Sequence, residues 1–247
     1  MNIAVLGSGG REHALCYKLK LSKKLDKLIC IPGNAGTQNI AININVDLKN
    51  FDNIYQILTK EKIDVVIVGP EQPLVDGIVD YLEQKKIRVF GPNKFASQLE
   101  GSKGFMKNLC KKFKIPTASF GVFNDFDKAK SFINLSNMPI VVKADGLAAG
   151  KGVTICNSID EAKKNVKEIL DGKFKSSKKV VLEEFLEGEE LSYFAIVDKN
   201  SYRFFGSAQD HKKVGEGDVG PNTGGMGAYS PAKILNNELE NKIKKKL

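Results

Sequence analysis

The sequence contains no tryptophan and only two histidines, His13 and His211. So small a supply of imidazole gives no basis for a histidine metal site or a Ser–His–Asp arrangement. Cysteine is also sparse: Cys16, Cys30, Cys110 and Cys156 are scattered and form no C-x-x-C pair. That spacing speaks against a disulfide framework or a zinc cluster and suits thiols in a reducing cytoplasm. No apolar run approaches the ~20 residues that a membrane-spanning helix needs. Nor does the N-terminus carry a basic segment followed by an apolar one, the pattern of a signal peptide. Aromatic residues do not interleave with basic ones. The formal charge of +9 therefore points to lysine-rich helix faces or small anionic substrates, and no nucleic-acid or membrane partner is expected.

What is present is an ordinary globular composition. The chain has 247 residues, 42% of them hydrophobic and 27% charged, enough for one large domain or two modest ones. Residues 1–100 alternate strand and helix patterns. Apolar runs at 3–6, 28–31, 65–68 and 88–90 read as strands. Helical spacing covers 11–20, with Ala14, Leu15 and Leu19 on one face. It also covers 51–62, with Ile54, Ile57 and Leu58, and 74–85. The alternation predicts an α/β fold, a doubly wound, Rossmann-like parallel sheet. The first turn, Gly7-Ser8-Gly9-Gly10, begins like a dinucleotide fingerprint. The third glycine of that motif falls at Glu12, however, and no acidic residue ends the second strand. Amides at a helix N-terminus still suit an anion such as the phosphate of a small substrate. The loops at 32–37 and 69–74 share the same carboxyl edge of the sheet.

Gly91-Pro92-Asn93 marks a domain boundary, giving an N-terminal domain over 1–100 and a second over 101–247. In the second, 96–113 reads as helix interrupted around 101–104, 117–123 as strand and 127–135 as amphipathic helix. Residues 139–156, PIVVKADGLAAGKGVTIC, read as a hairpin, with Gly146, Gly150 and Gly152 around Lys151 in its loop. It is not a P-loop. Gly146 and Gly150 enclose three residues where a Walker loop needs four. Gly152 stands where Ser or Thr should follow the lysine, and a strand follows where a helix should. The hairpin then either folds its amides, Lys151 and the nearby Lys143 over phosphates, or is a surface hairpin with solvated lysines. Ser158-x-x-Glu161 is a capping box opening a helix that runs to 170. Strands at 180–182, 190–197 and 203–208 follow, so 117–197 reads as a small α+β subdomain. Glu183-Glu184-Phe185-Leu186 either lines an adenine slot, with Glu190 accepting from ribose hydroxyls, or is part of a solvated acidic turn. Residues 209–231 are so rich in turn formers, and so poor in aliphatics, that a long functional loop is expected and not a packed element. A last amphipathic helix, 236–247, ends without a C-terminal cap, as expected of a fragment.

The segments GSGGREHA at 7–14, PGNAGT at 32–37, GPEQPLVDG at 69–77 and LEGSK at 99–103 occur in that order. KADGLAAGKGV at 143–153, EEFLEGEELS at 183–192 and QDHKKVGEGDVGPNTGGMGAYSP at 209–231 follow. Together they resemble the phosphoribosylamine–glycine ligase family of the ATP-grasp superfamily, across the whole chain. The resemblance implies a Rossmann-like domain followed by an α+β ATP-grasp domain, incomplete at its C-terminus, with 117–197 as a lid. It implies that ATP drives ligation of glycine to 5-phosphoribosylamine through glycyl phosphate. The products are glycinamide ribonucleotide, ADP and phosphate, in purine synthesis. Such chemistry needs positioning and charge neutralisation, with no side-chain nucleophile.

By position, the resemblance assigns Lys103 and Lys143 to the ATP phosphates and Gly146, Gly150, Lys151 and Gly152 to a flap over them. Glu183, Phe185 and Leu186 fall to the adenine, and Glu190 to the ribose. Gly9, Gly10, Asn34, Ala35, Gly36, Thr37, Glu71, Pro73 and Leu74 fall to phosphoribosylamine. Asp210, His211, Asn222, Thr223, Gly224, Gly225 and Met226 face substrate. Mg²⁺ or Mn²⁺ is the implied metal, with its Glu and Asn ligands expected beyond Leu247 and none in this chain. The expected partners are ATP, glycine and 5-phosphoribosylamine, in a cytoplasmic monomer or homodimer. The 247-residue chain is expected not to complete ligation alone. The alternative is a non-catalytic nucleotide-binding fragment or regulatory module. A carboxylase-type ATP-grasp protein would share the flap and adenine segment but not 209–231.

Overall fold

The computed structural model describes residues 1–148, 152–174, 178–198, 200–217 and 219–246. Gly150 and Lys151 of the expected flap lie outside them. The chain divides into two compact units, Met1–Met106 and Lys107–Leu247.

The first unit runs β1 (Asn2–Gly7), α1 (Gly10–Lys20), β2 (Lys27–Pro32), β3 (Ile42–Asn43), α2 (Phe51–Lys60) and β4 (Val65–Val68). It continues with α3 (Glu71–Asp76), α4 (Ile78–Gln84), β5 (Arg88–Phe90) and α5 (Gln98–Gly101). The five strands are parallel in the order β3-β2-β1-β4-β5, as the alternating sequence predicts. Side chains alternate along each strand. Ala4 and Leu6 of β1 join Ile29, Ile31, Val66 and Val68 in one buried cluster against Ile54 and Leu58 of α2 and Ile78 and Leu82 of α4. Val5 points the other way, to Cys16 of α1, Leu28 and Cys30. Chain order reverses at β1, so the crevice between the ends of β1 and β4 is the switch point at which such sheets bind ligands.

Two features differ from the sequence expectation. The helix expected from residue 74 is two helices and starts earlier, so 71–74 is the first turn of α3 and not a loop. Pro73 sits within that first turn, where a missing N–H breaks no helical bond. Gly77, at φ +100°, ends α3 by donating to the carbonyls of Pro73 and Leu74. That left-handed turn suits glycine. β3, only two residues long, left no pattern to read.

Helix α6 (Lys103–Phe113) leads into the second unit, followed by β6 (Phe120–Phe123), α7 (Phe126–Asn134), β7 (Ile140–Ala144), β8 (Val153–Cys156), α8 (Ile159–Leu170) and β9 (Val180–Glu184). These strands form an antiparallel sheet, β6-β9-β7-β8. Ile140, Val142, Ala144, Val180 and Leu182 bury one face against Ala129 and Ile133 of α7 and Ala162 and Val166 of α8. Ser158 caps α8, its hydroxyl accepting from Glu161 N at 3.2 Å. The Glu161 carboxylate reaches back to Asn157 N at 2.9 Å, one residue further than a capping box predicts.

The unit ends with β10 (Ser192–Val197), β11 (Tyr202–Gly215), β12 (Val219–Tyr229) and α9 (Asn237–Lys244). Here 209–231 departs from the loop reading: most of it is an antiparallel hairpin. Its ladder is made by backbone groups, which need no apolar side chain. Register shifts between His211 and Lys213 and again between Lys213 and Gly215 erase the period-2 pattern that announces a strand. Among the described residues no helix is long and apolar enough to cross a membrane.

Candidate nucleotide and phosphate sites

On the sheet of the second unit, Val141 of β7 lies opposite Glu183 of β9. Strand alternation therefore puts Lys143 and Glu183 on the face turned away from α7 and α8. One oxygen of Glu183, Oε2, pairs with two ammonium groups, accepting a hydrogen bond from that of Lys143. Lys143 Nζ is at 2.9 Å and Lys107 Nζ, from α6, at 2.8 Å. Lys107 also donates to Thr117 Oγ1 at 2.7 Å, and its ammonium lies 5.8 Å from the centre of the Phe120 ring. The Lys107 and Glu183 side chains are 5% and 6% exposed, that of Lys143 25%. The other oxygen, Glu183 Oε1, is buried without a hydrogen-bond partner among the described residues. Two cations and one carboxylate leave one net positive charge, and Lys143 is the member that reaches solvent.

The glycine loop leaves β7 directly beyond Lys143. Gly146 turns it at φ +90°, and Gly152 O accepts from Ala144 N at 2.8 Å to close the hairpin. A Cβ on Gly152 would stand 2.7 Å from that of Ala148, so glycine is required there. Phe185 and Leu186 follow the end of β9, with Leu186 exposed. Phe185 and Glu184 line a cavity of about 540 Å³ with Ser119, Phe132, Met138 and Ile140. Ile140 and the register of Glu184 put this cavity on the helix-bearing side of the sheet, not the side of Lys143. The Ser119 N–H, 3.0 Å from Glu184 Oε2, holds that carboxyl below the usual range. Glu190 is exposed and pairs with Lys212 of β11 at 2.5 Å, a bond that raises the Lys212 ammonium above its ordinary pKa. Lys103 is the first residue of α6 and falls in the first unit. Sequence reading missed Lys107, because among 38 Lys and Arg no spacing singles it out.

In the first unit, residues 7–12 line a cavity of about 350 Å³ with Leu48, Pro70 and Glu71, at the switch point. Glu12 is buried and its Oε2 accepts from Gly9 N at 2.6 Å. A Cβ on Gly69 would meet Glu12 Oε1 at 2.0 Å. The carboxylate therefore occupies the space that the third fingerprint glycine would leave open, which disfavours a dinucleotide pyrophosphate. Arg11 donates to Gly69 O at 3.0 Å and to Glu71 Oε1 at 2.9 Å. Partial burial raises the Glu71 carboxyl, but its own N–H and the Arg11 guanidinium outweigh that and hold it low. Asn34 stitches the next loop: its amide donates to Ser8 O at 2.9 Å, and its oxygen accepts from Gly36 N and Thr37 N. Thr37 is buried and Ala35 exposed. Of the α3 residues, Glu71 opens on the cavity, while Pro73 is buried and Leu74 packs on the core.

On the long hairpin, His211 and Met226 line a cavity of about 260 Å³ with Lys213 and Glu216. Asp210 Oδ2 is 3.9 Å from Lys212 Nζ. Thr223 Oγ1 donates to Lys212 O at 2.9 Å and accepts from Gly225 N at 3.0 Å. Gly224 is exposed, and Asn222 pairs through its backbone with Lys213. Among the described residues no three His, Cys, Asp or Glu side chains gather to hold a metal ion.

A parallel switch-point unit followed by an antiparallel sheet with a glycine hairpin is an ATP-grasp arrangement. Solved structures share it. The biotin carboxylase domain of Hydrogenobacter thermophilus 2-oxoglutarate carboxylase aligns over 99% of this chain and 56% of its own, with TM-score 0.78 at 17% identity. That likeness shows the fold alone. Phosphoribosylamine–glycine ligase from Thermotoga maritima aligns over 100% of this chain and 59% of its own, with TM-score 0.82 at 32% identity. Residues 1–100 match the N domain of phosphoribosylglycinamide synthetase, and residues 101–247 its ATP-grasp (A) domain. The chain belongs to the phosphoribosylglycinamide synthetase family, an ATP-grasp ligase family. It is 51% identical to the phosphoribosylamine–glycine ligase of Mesorhizobium japonicum over 97% of this chain and 56% of that protein. It is 50% identical to the chloroplastic ligase of Arabidopsis thaliana over 93% of this chain and 44% of that protein. The chain thus spans about half the length of these relatives.

Proposed function

We propose that this chain is the N-terminal and ATP-grasp portion of a cytoplasmic ligase that joins glycine to 5-phosphoribosylamine at the expense of ATP. One observation carries the reading. Lys143 reaches solvent from the sheet face opposite the helices, at the mouth of the glycine loop, backed by the buried Glu183. A cation and glycine amides so arranged suit the phosphates of ATP. The Gly9 N–H is already given to Glu12, so the N-terminus of α1 from Gly10 onward and Arg11 are what suit the 5-phosphate of the ribosylamine.

In the proposed reaction the glycine carboxylate attacks the γ-phosphorus and ADP leaves. The amine of phosphoribosylamine then attacks the carbonyl of glycyl phosphate and phosphate leaves. Lys143 neutralises phosphate charge throughout, and no side chain forms a covalent bond. A divalent cation would add to that neutralisation. The described residues offer no ligand set for one, so no step is assigned to it.

Calorimetric titration of the chain with ATP tests the reading. Lys143→Ala is expected to weaken binding by at least about tenfold, and equal affinity would overturn the assignment. In the full-length protein, ADP release that requires both glycine and 5-phosphoribosylamine is the sign of the ligase. ATP binding there without any ADP release, even with both substrates present, would favour a nucleotide-binding module.

A further inference from the structure

We infer that Lys107 is a positioning residue: it holds Glu183, so that Lys143 stays free to leave that carboxylate for an incoming phosphate. The inference rests on the reading of Lys143 as a phosphate-binding lysine. Its own evidence is the geometry around Glu183.

Both lysines bind the same oxygen, Oε2, at 2.8 and 2.9 Å. They are not equivalent. Lys107 is anchored a second time, by Thr117 Oγ1 at 2.7 Å, and is 5% exposed. Lys143 has five times that exposure, 25%, and stands at the base of the glycine loop. One cation is thus fixed to the carboxylate and the other is exchangeable. Among the described residues the buried Oε1 has no hydrogen-bond partner, so Glu183 is short of donors there even with both lysines in place. A buried carboxylate in that state grips whatever cation remains to it. Without Lys107, Lys143 becomes its sole counter-ion among the described residues, and moving Lys143 to a phosphate would strand a buried charge. With Lys107 present, Glu183 keeps a counter-ion when Lys143 departs. Lys107 therefore acts through Glu183 and need not touch the nucleotide.

The experiment reads Lys143 itself, with no nucleotide added. The chain is treated with an amine-acylating reagent, and the rate of Lys143 modification is followed by peptide mass spectrometry, normalised to the exposed Lys164. In Lys107→Met the Lys143 rate is expected to fall by roughly threefold or more, the scale of one partly screened ion pair. Adding Glu183→Gln to that variant removes the grip and is expected to return the rate to the unsubstituted level or above. Lys107→Arg, which keeps the cation, is expected to behave as the unsubstituted chain. An unchanged or faster rate in Lys107→Met overturns the inference. If that variant does not fold, the uncharged double variant decides, and a slow Lys143 there overturns it. A separate arm adds ATP or adenosine to the unsubstituted chain. Protection of Lys143 by ATP but not adenosine supports the phosphate reading, and absence of protection sinks that reading whatever the rates above.

Discussion

Glu12 shows how a single side chain decides what a glycine-rich turn accepts. Its carboxylate fills the space under Gly7 and beside Gly69, and its Oε2 accepts from the amide of Gly9. Gly69→Ala would drive a methyl into that carboxylate and break its bond to Gly9. The expected loss is about 1–3 kcal/mol, read as a lower urea midpoint with an unchanged slope. Glu71 makes a pH prediction. Its carboxyl is held low in the folded chain, so its contribution is fully present above the ordinary carboxylate range. That contribution is lost as pH falls through the folded value. Glu71→Gln should therefore flatten the acid limb of the stability curve, and an identical limb would refute the pairing with Arg11. Burial pushes the Cys156 thiol up to about 11, and Cys16 and Cys30 are buried too. Iodoacetamide at pH 8 should label Cys110 first in the folded chain.

Among the elements, the break at Gly77 separates α3 from α4. Gly77→Ala places a Cβ in a left-handed turn at φ +100° and should cost about 1–2 kcal/mol, measurable by thermal or urea unfolding. The sheet elements differ in what supports them. β7 and β9 bury one face under two helices. β11 and β12 pair through their backbones but leave Val214, Val219 and Met226 exposed. Amide hydrogen exchange should be slow across residues 140–144 and 180–184 and fast across 219–229. Slow exchange in the hairpin would contradict that ranking. The contrast also explains why the hairpin was illegible. Its sequence has turn residues where a strand usually has alternating apolar ones, and its irregular register removes what alternation remains. β7 and β8 were readable because β-branched runs flank their glycine loop, and α2 because Ile54 and Leu58 keep helical spacing.

For the molecule as a whole, two compact units with separate cores are the governing fact. The first closes its sheet with buried clusters on both faces, so it should fold without the second. Limited proteolysis is expected to leave a resistant N-terminal fragment ending near residue 106, and its absence would count against independent folding. The fold class was legible because alternating strand and helix patterns admit few topologies. The candidate sites were legible in part. Lys143, Glu183 and the glycine turns stand in recognisable segments. Lys107 does not, since one lysine on an amphipathic helix resembles every other until a buried carboxylate meets it.

The sequence by itself determined the parallel sheet, the capped start of α8, the glycine hairpin beside Lys143 and the exclusion of a P-loop. Each follows from local spacing, which short-range sterics and hydrogen bonding convert directly into structure. Tertiary structure alone decided that Glu183 faces away from the helices and binds two lysines through one oxygen. It also decided that Glu190 pairs with Lys212, that Glu12 closes the fingerprint turn and that 219–229 is a strand. Those outcomes depend on which groups distant in sequence share a face or a ladder. Burial then fixes their partners, because a charge removed from water must find a counter-ion.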